Sequence, residues 1–526
     1  MCGIVGVVGP GWEDGKFIAK RLLDRIRHRG EPALQAEMAS GSAWVFGTNR
    51  LAIVSSQDSK QPIDSSNREI TLAFNGEIYN YKSFWRNDEL RINRACDDGD
   101  GPTVAEVLAI RGEGAIRDLD GMFALLWVDH RSSVLYAARD RVGIKPLYYA
   151  WADDRVLFAS ELKSLVAEET VHEVQEVEPG TVLALRISTT CRPVFLRERR
   201  YFDFRESRSP REPGELLQAL DESVKLQCAY SGRIGVYLSG GVDSGGIYGL
   251  AKRHAASLVP LILTRSGGPD GEFAIRQSKE LGDDPVIGRC PSEYDLFSSV
   301  RETIRVSESF EPNVVRQSSI QLHIAKLAVL AGVKVVLCGE GADELFCGYP
   351  DFLNRCEDWQ DLRLSFLQGL ERTQLQRVDR ASMSLTTEVR VPYLCNDVIE
   401  IALSIYDRDE FILEGAEPGR DNKRCLRAAL AGLIPDWVRL RPKVVLSEGL
   451  GLGSNHPSKG MFSQFVHASI TESHFLEIQM QFSEWHLKSP EEAYYFSIFE
   501  DFKYSKAKFM TRRVRANLVP SISSPL

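Results

Sequence analysis

The chain has 526 residues, of which 43% are hydrophobic, and a formal net charge of −9 at pH 7. A chain of this length can bury a large core and is expected to divide into two or more domains. The acidic balance and the absence of a dense Lys/Arg block argue against nucleic-acid binding, so we expect small-molecule chemistry.

The N-terminus, MCGIVGVVGPGWEDG, has no basic flank and only a short apolar run. It is typical of neither a secretory signal nor a membrane span, so we expect a cytoplasmic protein that does not associate with membranes. The ten cysteines include no CxxC pair and no His at zinc-ligand spacing, which argues against a structural metal site.

Residues 1–200 are predicted to form an α+β domain with antiparallel sheet. One helix is predicted over about residues 14–28 from the spacing of its apolar side chains. Turn-forming residues separate short β-type runs, which are found at 3–9, 70–74, 123–128, 134–138 and 147–150.

The charged segment 197–215, with its two prolines, is predicted to be an exposed linker. A second domain is expected over residues 206–526, ending in a mainly helical third. Apolar strands alternate there with helices, which predicts a parallel sheet covered on both faces. The strands are predicted at 234–238, 259–264 and 333–338, and the helices near 272–282 and 318–331.

Cys2 directly follows the initiator Met1. Removing Met1 would leave a thiol beside a free α-amino group, whose pKa near about 8 suits a built-in base. Asn75-Gly76 follows a predicted strand, where an amide and a backbone N–H can form an oxyanion hole. Arg50 offers a fork for a carboxylate, and Asp100 can pair with an ammonium group. Each has an ordinary structural explanation alone, but together they fit an amino acid whose distal carbonyl is attacked.

Seven segments in the first 165 residues resemble the glutaminase domain of class II glutamine amidotransferases of the asparagine synthetase type. The resemblance implies a sandwich of antiparallel sheets between helices, an αββα fold of the N-terminal-nucleophile type. The segments occur in the family's order and are MCGIVGVVG, RHRG, RLAIV, FNGEIYN, DGMFALLWVD, ARDRVGIKPLYY and FASELKSL.

The resemblance assigns Cys2 as the nucleophile and Asn75 and Gly76 as the oxyanion hole. Arg50 matches the residue that binds the glutamine α-carboxylate, and Asp100 matches the amine-binding Asp if a short gap is allowed. After RHRG the family usually continues with Pro-Asp, whereas this chain has Glu31-Pro32. The implied glutamine-binding set is Arg50, Leu51, Ile53, Val54, Asn75, Gly76, Glu77 and Asp100.

SGGVDS at 239–244 lies between a buried strand and a helix. Its glycines allow the backbone to approach phosphate, while Ser239, Ser244 and the helix N-terminus supply donors. The loop resembles that of synthetases that cleave ATP between the α and β phosphates, which implies a fold of the adenine nucleotide α-hydrolase type. In that setting Asp243 is a Mg²⁺ ligand.

GEGADELFCGY at 339–349 follows the next buried strand, and it resembles a second element of the family. The resemblance makes Asp343 a second metal or pyrophosphate ligand and Glu340 a group that orients or deprotonates ammonia. Lys443, in RPK, matches the lysine that neutralises charge on the phosphates. Leu238, Leu263 and Gly339 are placed near the adenosine by backbone position alone. The full ATP and pyrophosphate set is Leu238, Ser239, Gly240, Gly241, Asp243, Ser244, Leu263, Cys338, Gly339, Asp343 and Lys443.

The acceptor side is where the sequence departs from the family. Cys338 and Cys347 stand where Ser and Gly are common, and Cys395 stands where Asp is common. Two alternatives stay open for three charged residues, which either serve the acceptor or form buried ion pairs: Arg380, Glu388 and Arg390.

These features predict a ligase that hydrolyses glutamine and uses ATP and Mg²⁺ to amidate a carboxylate through an acyl-adenylate. Aspartate is the simplest acceptor, ammonia would cross inside the protein past 123–128 and 147–150, and a homodimer is compatible with the prediction. One alternative is the same chemistry on another carboxylic acid in secondary metabolism, and another is a non-catalytic or regulatory homologue. A β-lactam-forming cyclase needs no ammonia, so Cys2 with Asn75-Gly76 argues against it.

Overall fold

The structure, a computed structural model, describes residues 2–53, 60–85, 99–206, 208–354, 357–412, 422–442, 444, 446–452 and 461–511. Within these ranges, two six-stranded antiparallel sheets precede residue 201, and a five-stranded parallel sheet lies beyond it. No helix in the same ranges is long and apolar enough to cross a membrane.

The N-terminal part has twelve strands and four α-helices in its described residues. The strands are β1 (Cys2–Val8), β2 (Glu37–Ser40), β3 (Trp44–Arg50), β4 (Ile63–Asp64), β5 (Ile70–Ile78), β6 (Gly121–Asp129), β7 (Val134–Arg139), β8 (Tyr148–Ala152), β9 (Arg155–Ala159), β10 (Val171–Glu176), β11 (Thr181–Arg186) and β12 (Val194–Arg200). The helices are α1 (Trp12–Arg25), α2 (Tyr81–Trp85), α3 (Asp100–Arg111) and α4 (Leu162–Val166).

These elements form a four-layer sandwich, with α1 packed on one sheet and α3 on the other. The sheets have the strand orders β10-β8-β9-β1-β3-β2 and β12-β11-β7-β6-β5-β4. Alternation along β1 explains the layers: Ile4 and Val8 lie in the core between the sheets, whereas Val5 and Val7 pack in the cluster that contains α1. Because both faces of β1 are covered, its sequence is apolar throughout.

The C-terminal part is built on a parallel sheet of order β15-β14-β13-β16-β17. Its strands are β13 (Ile234–Tyr237), β14 (Leu258–Thr264), β15 (Val286–Arg289), β16 (Val335–Leu337) and β17 (Glu388–Arg390). Its helices are α5 (Leu216–Gln227), α6 (Val242–His254), α7 (Pro269–Glu280), α8 (Glu293–Ser298), α9 (Val300–Ser307), α10 (Pro312–Leu330), α11 (Ala342–Leu345), α12 (Asp351–Asn354), α13 (Trp359–Gln368), α14 (Gln374–Met383), α15 (Asn396–Ser404), α16 (Arg424–Ala429), α17 (Asp436–Arg439), α18 (Leu446–Gly449), α19 (Ser463–Ser469), α20 (Glu472–Gln481) and α21 (Pro490–Asp501).

The strand order places two loops side by side. From β13 the chain moves to β14 and β15 on one side, and it then returns to add β16 on the other side of β13. The loops after β13 and β16 therefore flank a topological switch point, where open α/β sheets bind ligands. A Cβ atom added to Gly339, just after β16, would lie 2.9 Å from the backbone nitrogen of Ser244.

The predicted fold class is confirmed, and the predicted strands and helices occur with ends shifted by a few residues. The prediction of an exposed linker over 197–215 was wrong for its first part, because residues 197–200 form the end of the edge strand β12. Tyr201 and Phe202 are then buried, since their aromatic rings pack against the protein. The predicted domain limits, 1–200 and 206–526, stay predictions.

Ion pairs join the two parts, and we refer to them as the ion-pair interface. At its centre Arg29 and Asp379 lie 2.9 Å apart, with both side chains nearly inaccessible. Lys145 approaches the same carboxylate at 3.5 Å. Burial acts to raise the pKa of Asp379. The positive charges of Arg29, Lys145 and Arg380 outweigh this effect and hold that pKa well below its usual range. The other pairs of the interface are Glu31–Lys334, Arg141–Glu400, Lys163–Glu308 and Glu77–Arg390.

We expect Asp379→Asn to destabilise the protein by roughly 3–5 kcal/mol at pH 7, because it removes the carboxylate that three buried cations share. Since the folded pKa of Asp379 is depressed, its contribution is present above the unfolded value of about 4 and is lost as the pH falls below it. Thermal unfolding at several pH values measures this, with the exposed Asp397→Asn as the control. Equal losses of thermal stability in the two variants at pH 7 would contradict this prediction.

Candidate functional site

The first candidate site is a pocket at the ends of β1, β3 and β5. Cys2 pairs with Arg50 across the β1–β3 ladder, so the strand register places the thiol beside the guanidinium. The backbone nitrogen of Cys2 donates to Asn75 Oδ1 at 3.0 Å. The predicted residues that line the pocket are Cys2, Arg50, Leu51, Ile53, Gly76, Glu77 and Asp100, while Val54 lies outside the described residues.

Asn75 and Gly76 are tightly constrained on β5 next to Cys2. The Asn75 side chain is buried and its Oδ1 faces Cys2, while its Nδ2 has no hydrogen-bond partner among the described residues. A buried donor without a partner is costly, and a developing oxyanion would satisfy it. Gly76 has φ 151°, and a Cβ there would collide with the Met122 carbonyl oxygen on β6, so only glycine fits.

Two buried carboxyl groups of the pocket lining, Asp100 and Glu77, can bind a cation. Burial raises the pKa of Asp100 to about 6. Burial and then the charge of Asp100 hold the pKa of Glu77 well above its usual range. Asp100 accepts hydrogen bonds from the backbone of Ile78 and Gly101, each at 2.9 Å, so its place is fixed. A bound ammonium group would favour the ionised form of both acids.

The second candidate site lies at the switch point of the parallel sheet. After β13 the loop 239–244 turns sharply at Gly240, which has φ 75° and lies against Phe273 and Ala274. Ser244 Oγ accepts from the backbone nitrogen of Ser239 at 3.1 Å, which ties the first turn of α6 to the start of the loop. The predicted residues Leu238, Leu263 and Cys338 are buried at the same edge.

Lys423 joins the two loops, and it was not among the predicted site residues. Its buried ammonium lies 2.6 Å from Asp243 Oδ1 and 2.5 Å from Asp343 Oδ1. Gly348 makes the space for this contact, since a Cβ there would collide with Asp343 and Lys423. The predicted Lys443 lies outside the described residues.

The two aspartates fit a Mg²⁺ ion that arrives with a nucleotide. Because Asp243 and Asp343 contact the same nitrogen, their Oδ1 atoms lie at most about 5 Å apart. In the described part of the chain, no group of three or more His, Cys, Asp or Glu is placed to hold a metal alone. Mg²⁺ commonly takes one or two carboxylates and completes its shell with phosphate oxygens and water, so this donor set suits it.

Glu340, the predicted ammonia-handling group, forms an ion pair with Arg377 of α14. Arg377 also donates to Gln317 of α10 at 3.3 Å, which fixes its guanidinium. The Cys338 thiol approaches Glu340 at 4.0 Å. Glu340 therefore sits among fixed polar groups at the carboxyl end of β16.

The sequence left open whether three charged residues serve the acceptor or form buried ion pairs. The structure shows buried ion pairs for all three, which are Arg380, Glu388 and Arg390. Arg390 pairs with Glu388 at 2.6 Å, and Arg380 pairs with Glu308 at 2.9 Å. Residues that differ from the family's usual ones also have partners in the structure. The Cys395 thiol donates to Asp120 at 3.0 Å across the two parts, and Glu31 pairs with Lys334 at 2.7 Å. Cys347 is buried with φ 56°.

Fold and site together define the class of protein: an N-terminal-nucleophile amidotransferase domain joined to a parallel α/β domain with an acidic switch-point site. The model of the glutamine amidotransferase domain matches residues 1–200. That of asparagine synthase matches residues 215–363 and 353–496. The chain therefore belongs to the asparagine synthase family, which confirms the resemblance in its motifs.

Curated relatives extend over most of the chain. A probable glutamine-hydrolysing asparagine synthetase of Acanthamoeba polyphaga mimivirus is 27% identical over 94% of this chain and 93% of its own length. A glutamine-hydrolysing asparagine synthetase of Asparagus officinalis is 27% identical over 86% of this chain and 78% of its own length. A glutamine-hydrolysing asparagine synthetase of Oryza sativa subsp. japonica is 27% identical over 97% of this chain and 87% of its own length.

Gly348→Ala is expected to weaken nucleotide binding at the switch-point site, because the added methyl group displaces Asp343 and Lys423. The loss should be at least about tenfold, since a hydrogen bond to a charged group is worth roughly 1.5–3 kcal/mol. Calorimetric titration with a non-hydrolysable ATP analogue and Mg²⁺ measures it. The control is Gly214→Ala, where the added Cβ meets no heavy atom within 4 Å. Unchanged affinity in Gly348→Ala would contradict the placement of the site.

Proposed function

We propose that this chain is a glutamine-dependent ligase that amidates a carboxylate at the expense of ATP, with aspartate as the acceptor and asparagine as the product. The observation that carries the proposal is the buried Asn75 amide, whose Oδ1 accepts from the Cys2 nitrogen and whose Nδ2 has no hydrogen-bond partner among the described residues. Family membership and the names of the relatives support the second half of the reaction.

In the first half reaction, Cys2 Sγ attacks the side-chain amide carbon of glutamine, and Asn75 Nδ2 and the Gly76 N–H hold the resulting oxyanion. The C–N bond breaks, ammonia leaves, and water hydrolyses the thioester to glutamate. Arg50 binds the substrate carboxylate, while Asp100 and Glu77 bind its ammonium group. This assignment is supported by their shared pocket and by the raised pKa values of both acids.

In the second half reaction, an oxygen of the acceptor carboxylate attacks the α-phosphorus of ATP, forming an acyl-adenylate and releasing pyrophosphate. Mg²⁺ bound with the nucleotide supplies charge neutralisation at the phosphates. Asp243 and Asp343 would hold that ion, and Lys423 and Lys443 would neutralise the phosphate oxygens. The convergence of Asp243, Asp343 and Lys423 at one edge of the sheet supports this arrangement.

Ammonia then attacks the acyl carbon and AMP leaves, with Glu340 accepting the proton that ammonia loses. The ion pair with Arg377 holds the Glu340 carboxylate in position at the carboxyl end of β16. We propose that ammonia reaches this point inside the protein. The buried residues of β6 support an enclosed route, as does the 3.0 Å contact of Tyr148 with Arg380 across the two parts. A cytoplasmic location and a homodimer stay predictions.

Cys2→Ala should abolish glutaminase activity while synthesis from ammonium salts persists, because only the first half reaction uses the thiol. The measurement compares glutamate release with ATP-dependent amide formation from ammonia in the same preparation. Cys191→Ser, which alters an exposed thiol, is the matched control and should retain both activities. Loss of ammonia-dependent synthesis in Cys2→Ala would show that the two sites are not separate.

A screen of carboxylic acids is expected to give AMP and pyrophosphate release with aspartate, because the asparagine synthase family and the names of the relatives point to this acceptor. Release is measured with ammonia as the nitrogen source, so that the glutaminase site does not limit it. The buried Cys338 beside Glu340 favours testing other acids as well. Release with another acid and none with aspartate would overturn the aspartate assignment.

A further inference from the structure

Gln61 contacts the thiol of Cys2, and it is not one of the predicted site residues. Its side-chain nitrogen Nε2 lies 3.6 Å from Cys2 Sγ, a hydrogen-bonding distance for sulfur. Gln61 also lines the pocket that holds Arg50, Gly76 and Asp100. The residue therefore touches the atom that the proposed glutaminase reaction uses.

The direction of the Gln61 amide follows from its other contacts. Its Oε1 accepts from the backbone nitrogen of Phe74 on β5 at 3.0 Å. A backbone N–H can only donate, so the oxygen end must face Phe74 and the NH₂ end must face the sulfur. The backbone nitrogen of Gln61 donates to Glu37 Oε2 on β2 at 2.6 Å, which anchors the residue from the other sheet.

We infer that Gln61 is a further catalytic residue of the glutaminase site, which donates a hydrogen bond from Nε2 to Cys2 Sγ and stabilises the sulfur as a thiolate. The inference rests on the proposed function. The proton that leaves the thiol moves to the α-amino group exposed by removal of Met1, so the step needs no further reactant. The thiolate then forms the bond to the substrate carbonyl carbon.

The environment of Cys2 explains why a further donor matters. Burial raises the pKa of the Cys2 thiol, and Glu77 on β5 adds to this. The amino terminus, the Leu51 N–H and Arg50 on β3 act in the opposite direction. Asp100 on α3 and Lys60 complete the charged groups that line the pocket. A neutral donor on the sulfur favours the thiolate without adding a charge that would compete for the substrate carboxylate.

The test is the pH dependence of Cys2 alkylation by iodoacetamide in the full chain, followed by mass spectrometry of the N-terminal peptide, with Cys2→Ala as the blank. Gln61→Met removes the donor without adding charge, and Gln61→Glu keeps an acceptor for Phe74 while removing the donor. The control is Gln368→Glu, which conserves an exposed acceptor for Arg205.

We expect Gln61→Met to raise the thiol pKa by about one unit, as loss of a hydrogen bond to an ionised group does, and Gln61→Glu to raise it further because its carboxylate adds a negative charge beside the sulfur. A more basic thiolate is also more nucleophilic, so the rate curves should cross. Alkylation should be about threefold slower than wild type near neutral pH and about threefold faster above the thiol pKa. Glutaminase turnover should fall, while ammonia-dependent synthesis, which also reports correct folding, should stay unchanged.

Two results would overturn the inference. One is an unchanged thiol pKa in Gln61→Met, which would mean that the amide does not act on the sulfur. The other is slower alkylation by the same factor at every pH, which would mean that Gln61 only shapes the pocket. Because alkylation needs no glutamine, failure of the proposed function appears separately, as wild-type protein with a reactive Cys2 and no glutaminase activity.

Discussion

Asp379 lies on α14 at the point where the two parts of the chain meet, within reach of Arg29 and Lys145 from the N-terminal part and Arg380 from its own helix. Buried charges of this kind contribute little as isolated pairs, but each one is costly without its partner. The two parts can therefore dock in one arrangement only, since any shift strands a charge. Apolar packing alone would leave the relative position less strictly defined.

The same helix connects the chemistry of the two sites. On one side Asp379 holds Arg29, whose Nε donates to the carbonyl oxygen of Cys2 at 3.2 Å. Two residues earlier on the same helix, Arg377 forms an ion pair with Glu340. A displacement of α14 would thus move both the backbone of Cys2 and the carboxylate of Glu340. Coupling of this kind requires a rigid element with fixed contacts at both ends, and a short helix locked by ion pairs supplies one.

Local patterns predicted the strands, the Gly-rich loop and the gathering of Cys2 with Arg50 and Gly76, because each depends on residues close in sequence or on strand register. Lys423 and Gln61 could not be predicted in this way. Lys423 meets Asp243 across 180 residues, and its sequence neighbours have no pattern that distinguishes it from a surface lysine. The linker prediction erred for a related reason, since charge and proline content did not show that Tyr201 and Phe202 find a buried place.

The clamp of Lys423 on Asp243 and Asp343 gives the resting enzyme an internal counter-ion. Free divalent cations meet an ammonium already seated between the carboxylates, so a bare ion gains little by entering. In the proposed reaction, the phosphate oxygens of a nucleotide would take over the ammonium and free the carboxylates for the metal that comes with it. Such a pocket would favour the metal–nucleotide complex over either component alone.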